Sequence, residues 1–160
     1  MNTQNLFQSL YKYKAWSESK LFEVLKASDH TDGHANLHSA LWHLAHINIV
    51  DNLFISRLLE SPTPCTTTTT EKAQEVEILE RRFTEANQWF IEYTSLLTPF
   101  ILEKRVSFIF ADGKPGNMTK AEMLTHVISH GLQHRGMVNI LLPSVSDEGW
   151  EDHYTTFLRS

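Results

Sequence analysis

Nine histidines occur among the 160 residues, and His126, His130 and His134 recur every fourth residue in TKAEMLTHVISHGLQHRGMVNILL. That step is close to one turn of an α-helix, so the three imidazoles share one side of it. Neighbours lie roughly 6 Å apart along the axis. They can meet on one metal ion through nitrogens about 2.0–2.1 Å from it. The outer two are roughly 12 Å apart, too far to chelate a single ion without distortion. The helix therefore offers His126/His130 or His130/His134 and needs a further ligand from elsewhere. The spacing alone is a weak signal, because this composition yields roughly half an HxxxH pair by chance. Amphipathic helices also carry histidine at solvated edges. Four such pairs occur, counting His30/His34 and His34/His38.

Thr119 and Glu122 have the spacing of a capping box and Pro143 cannot continue a helix, which predicts a helix over 119–142. Leu6, Leu10, Tyr13, Leu21 and Leu25 predict a first helix over 3–26, with Trp16 a core-packing residue. SDHTDGH then breaks the chain. A second helix is expected over 37–60 with Asn36 as N-cap. It carries His43 and His46, about 60° apart around the axis. On those bounds His34 lies outside the helix and His38 in its first turn, which removes the geometry a His30/His34/His38 chelate needs. SPTPCTTTTT is a loop. Thr68 and Glu71 repeat the capping-box spacing and predict a third helix over 71–97, ended by Pro99. VSFIF is β-prone and ADGKPGN turn-rich, so one or two short extended segments should cover the gap before the last helix. Trp150, Tyr154 and Phe157 should dock the tail. The sum is an all-α, left-handed four-helix bundle, one domain over 1–160, with a metal site in or near its core.

Hydrophobic residues make up 41% and charged residues 21%, ordinary values for a globular chain. A net charge of −5 argues against nucleic acid or an anionic membrane as partner. MNTQNLFQSLYKYK does not read as a signal peptide, and no apolar run approaches the ~20 residues of a membrane span. The one cysteine, Cys65, cannot form an internal disulfide and has no basic neighbour to activate its thiol. A cytoplasmic location is expected.

YKYKAWSESKL, HINIVD (His46 to Asp51) and GNMTKAEMLTHVISHGLQHRG resemble the first-, second- and fourth-helix motifs of the DinB/YfiT-like metalloenzyme family. This family is unrelated to the DNA polymerase that shares the DinB name. The tail, acidic before a terminal aromatic-leucine, is similar to the family's ending. The resemblance implies His46, His130 and His134 as metal ligands, with Arg135 and Gly136 completing the motif and Met137 in place of its usual Gln. His43 and His126 would then stand beside ligands or in solvent. Asp51, at i+5 from His46, and Arg135 are expected to be solvated or structural, and no general base is assigned. Three neutral imidazoles leave a divalent ion with open positions, where water or a thiol is acidified. Zn²⁺ or Ni²⁺ is expected first, with Fe²⁺ and Co²⁺ also accepted. The family implies a small-molecule substrate and a thiol-dependent S-transferase using a low-molecular-weight thiol such as bacillithiol, mycothiol or glutathione. The alternatives are a metal-dependent hydrolase and a non-catalytic, stress-related metal- or ligand-binding bundle. A homodimer is expected.

Overall fold

The computed structural model describes residues 2–28, 32–62, 67–70 and 74–160. Four long helices form the frame: α1 (Thr3–Ala27), α2 (His34–Leu58), α3 (Val76–Ser95) and, after the short α4 (Pro99–Glu103) and strands β1 (Arg105–Ile109) and β2 (Pro115–Thr119), α5 (Lys120–Leu141). Two short helices follow, α6 (Pro143–Asp147) and α7 (Tyr154–Phe157). The most extensive packing is α1 on α3 and α2 on α5, and α2–α3 and α1–α5 contacts close the bundle. No helix among the described residues is long and apolar enough to cross a membrane.

Local chemistry sets the ends. The capping box of α5 is complete: Thr119 Oγ1 accepts from the Glu122 N–H at 3.1 Å, and Glu122 Oε2 accepts from the Thr119 N–H at 2.6 Å. Pro143 ends α5 as expected but also occupies the first turn of α6, where a missing N–H costs nothing. Pro99 opens α4 in the same way.

Two boundaries differ from expectation. The second helix starts at His34, three residues before Leu37, with Gly33 rather than Asn36 at the N-cap. Gly33 has φ +94, which glycine reaches without the clash a side chain brings, so the chain turns into the helix earlier. Asn36 lies in the first turn, its Nδ2 donating to the Asp32 carbonyl at 3.0 Å. His34 and His38 are therefore helical, but both are exposed. The third helix spans Val76–Ser95 rather than 71–97, after an extended Glu75. Thr68 does not start it; its carbonyl is engaged by His46. Glu71, Cys65 and His30 lie outside the described residues.

β1 and β2 pair antiparallel with Arg105 opposite Thr119 and Ile109 opposite Pro115. A side chain at Gly116 would come within 2.7–2.8 Å of the Phe108 and Phe110 rings, so this glycine makes room for both. The tail docks on α1. Trp150 Nε1 donates to the Ser17 carbonyl at 2.9 Å, and Tyr154 and Phe157 pack their rings around Tyr13. Trp16, half-buried, meets Phe157.

The core is two apolar clusters, one around Tyr11, Phe54, Phe90 and Val127, the other around Leu21, Leu44, Phe83 and Val138. On each long helix a buried polar residue sits between them in sequence or, for Asp51, one residue past that boundary: Lys14 and Glu18, Asp51, Asn87, and Arg135. Lys14 Nζ donates to Glu18 at 2.9 Å, Asp51 at 2.7 Å and Asn87 at 2.9 Å. Arg135 donates to Glu18 and to Asp152, each at 2.8 Å. Burial pushes the Asp51 carboxyl up to about 6, with Lys14 pulling it part of the way back. Its Oδ1 is buried without a partner. Gly131 of α5 gives this layer room, since a Cβ there would stand 3.0 Å from the Arg135 guanidinium. Asp51 and Arg135 are thus structural, and burial excludes the solvated alternative.

Removing the central cation should destabilise far more than removing one of its partners. Lys14→Met leaves Glu18 and Asp51 buried without their shared cation, at a cost of about 3–5 kcal/mol. That corresponds to a thermal midpoint on the order of 10 °C lower. Asp51→Asn should cost less, since Lys14 keeps Glu18 and Asn87. The native state holds the Asp51 proton more tightly than the unfolded chain does, where the usual value is 3.8. This residue's contribution therefore falls as pH rises from about 4 to about 6 and is level above that. Unfolding midpoints of both variants and the parent across that interval check the order of the losses and whether Asp51→Asn removes this part of the slope.

Candidate metal centre

Because α2 packs along α5, His46 from the middle of α2 faces His130 and His134, one turn apart on α5. One ligand-capable atom from each of the three lies within 4.8 Å of the others, and all three side chains are half-buried. The ring centroids are 4.5–4.9 Å apart. His46 Nδ1 is 2.6 Å from the Thr68 carbonyl. A carbonyl only accepts, so Nδ1 carries the proton and Nε2 keeps its lone pair. That Nε2 lies 3.0 Å from His130 Nε2. Nitrogens bound to one ion at about 2.0–2.1 Å stand about 3–3.5 Å apart. The first pair already fits that separation, and His134 needs an adjustment on the order of an ångström. The residues present fit a divalent ion.

Electrostatics keeps the lone pairs available. Burial lowers the His130 pKa to about 3, assisted by His134 and His46. Burial lowers His134 to about 4, assisted by His46 and His43. Both rings are neutral at neutral pH, the form a metal requires.

The other histidines separate by place. His43 Nδ1 is 2.9 Å from His134 Nδ1, so His43 stands behind the trio and fixes the orientation of His134. Trp42 stacks on His46 with centroids 5.5 Å apart and meets the His43 ring edgewise. His126 lies over Phe54 at 4.7 Å and stacks on His130 at 5.5 Å, one turn from the trio. His34 and His38 are distant along α2. Met137 is 40% exposed and points no polar group at this site.

A cavity of about 290 Å³ adjoins the trio, lined by His46, His130, His126, Arg57, Thr68, Asp112 and the apolar Val50, Leu53, Phe54, Phe110 and Ala111. Sequence reasoning missed Thr68, Arg57 and Phe110. Arg57 carried one signal, a lone cation eleven residues after His46, three helical turns along the same helix. Nothing local marked the Thr68 carbonyl or the hairpin's Phe110.

A family model described as the DinB family matches residues 1–149, while no curated protein and no solved structure matches. The match spans α1 to α6, which carry both the bundle and all three converging histidines. The chain belongs to the DinB family.

Proposed function

We infer that the chain is a divalent-metal-dependent enzyme in which His46, His130 and His134 hold the ion. Its reaction is the transfer of a low-molecular-weight thiol to an electrophilic small molecule. The observation that carries this reading is the convergence of three imidazoles from two helices beside a largely apolar cavity. A divalent ion there supplies a Lewis acid with open positions, which lowers the pKa of a thiol or of water. The imidazole set takes Zn²⁺ or Ni²⁺ first and accepts Fe²⁺ or Co²⁺.

The chain's own residues do the rest. Thr68 sets the His46 tautomer and His43 orients His134. Val50, Leu53, Phe54 and Phe110 keep water from the electrophile. One carbon–sulfur bond forms as the electrophile's bond to its leaving group breaks; the leaving group, a halide for an activated aryl halide, departs with the bonding pair and the thiol proton goes to solvent. Thiol transfer takes precedence over hydrolysis because Asp112 is the one carboxylate among the described cavity-lining residues. Its bond to Lys114 at 2.9 Å lowers its pKa, which makes it a weak base for activating water. Beside a bound ion a thiol would be deprotonated outright while water would be acidified only towards neutrality, so thiol transfer would ask less of a base.

Metal content per chain after gel filtration should fall steeply for His46→Ala, His130→Ala and His134→Ala, since two imidazoles compete poorly with buffer. His43→Ala should weaken affinity by at most about 10–100-fold, and His126→Ala by less. An empty His126→Ala protein beside a full His134→Ala protein would place the ligand pair one turn earlier. Metal should also raise the thermal midpoint of the parent, because only the native state binds it.

Conjugation of bacillithiol, mycothiol or glutathione to an activated aryl halide should disappear with chelator and return with one metal. A metal-loaded protein that conjugates none of them refutes the transferase and leaves the metal site standing. The homodimer is part of the same proposal, and a monomer at high concentration in sedimentation refutes it.

A further inference from the structure

Two buried atoms, one in the polar layer and one in the seam beside it, have no hydrogen-bond partner: Asp51 Oδ1 and His130 Nδ1. Asp51 is wholly buried, and its other oxygen accepts from Lys14 Nζ at 2.7 Å. The same lysine reaches α5 at the residue after His130, since a Cβ at Gly131 would stand 3.9 Å from its Cε. On α2, Asp51 follows His46 by five residues, and His46 Nε2 is 3.0 Å from His130 Nε2. The carboxylate and the imidazole therefore lie at one height along the α2–α5 seam.

Their hydrogens explain why neither is paired. His46 carries its proton on Nδ1, so the hydrogen between the two Nε2 atoms belongs to His130. A neutral His130 with that hydrogen has a bare Nδ1, and a bare ring nitrogen and a carboxylate oxygen both only accept. Coordination through Nε2 reverses this. Nε2 gives its proton to solvent, Nδ1 takes one up, and the ring stays neutral with a donor on its buried side. We propose that Asp51 is a positioning residue whose Oδ1 accepts from that His130 Nδ1–H, directly or through one bridging water. Of the buried unpartnered atoms among the described residues, Asp51 Oδ1 is the one carboxylate oxygen. A carboxylate behind a ligating imidazole fixes its tautomer and orientation and raises its basicity. The inference rests on the metal-dependent reading above and adds to the structural role of Asp51. One oxygen serves Lys14 and the other serves His130.

The test is a zinc titration in metal-buffered solution, with helicity and the ring-nitrogen NMR spectrum of His130 recorded for the parent, Asp51→Asn and Asn87→Ala. The His130 proton should sit on Nε2 in the metal-free parent. In the zinc-loaded parent it should sit on Nδ1, deshielded and slow to exchange with solvent. Asp51→Asn keeps its carbonyl oxygen for Lys14 and turns an amide N–H towards His130, which suits the bare Nδ1 and opposes the zinc-bound tautomer. Zinc affinity should therefore fall by about 10–100-fold, and the Nδ1–H should lose its protection. Asn87→Ala also takes an acceptor from Lys14 but leaves Asp51 in place, and its loss should stay under about tenfold. Equal losses in the two variants overturn the proposal, because a merely structural layer predicts them. So does a folded Asp51→Asn protein with the parent's zinc affinity. Where Asp51→Asn does not fold, the zinc-loaded parent decides: a His130 proton on Nε2, or an Nδ1–H in rapid exchange, overturns the proposal. A parent that takes up no zinc sinks the metal-site reading and this inference with it, whereas a zinc-loaded parent with either of those signals sinks this inference alone.

Discussion

A lysine ammonium removed from water tolerates few arrangements, because desolvation is repaid only by close, correctly placed acceptors. Lys14 has three of them, on α1, α2 and α3, and Glu18 passes the network on to Arg135 of α5. One ammonium thus fixes the rotation and height of three helices at once, and the guanidinium brings in the fourth. Apolar packing above and below would accept small sliding motions, but the polar layer would not. Asp152 extends the constraint to the tail, accepting from Arg135, Ser17 and Tyr13.

The candidate metal centre lies at nearly the same height. His46 is five residues before Asp51, and His134 directly precedes Arg135. A helix residue that points inward to the ion network has neighbours pointing to the seam between α2 and α5. The fixed geometry of one therefore sets the geometry of the other: the helices are held in the register that brings His46 opposite His130. Burial at that seam is partial, enough to keep His130 and His134 neutral and too little to close the side that faces the cavity.

The hairpin and the 67–70 loop add what four helices cannot. Phe108 and Phe110 from the hairpin cage Arg57 of α2, and Gly116 yields the space for those rings. Thr68 gives a backbone carbonyl to His46. The hairpin and the loop thereby turn a helical seam with histidines into a walled cavity with a defined tautomer, a largely apolar lining and, among the described residues, one Lys or Arg.

Helical periodicity, caps and breakers are local, so the sequence alone determined the four long helices, the extended pair after VSFIF and the capping box of α5. It also placed His130 and His134 on one face, and the resemblance to the DinB family singled out His46 to join them. It misjudged the start of α2, because a positive φ at Gly33 competes with a capping Asn36 and periodicity does not weigh the two. It misjudged the start of α3, because the Thr68–Glu71 spacing is a local signal that does not register where the surrounding chain stays extended, as Glu75 does before Val76. Whether Asp51 and Arg135 were solvated or structural could not be read from either helix, since each is explained only by Lys14, Glu18 and Asp152 on other elements. The meeting of His46 with His130, the support of His134 by His43 and the cage around Arg57 all join residues distant in the chain. Such contacts follow from how helices pack, a property of the whole bundle, and only the tertiary structure decided them.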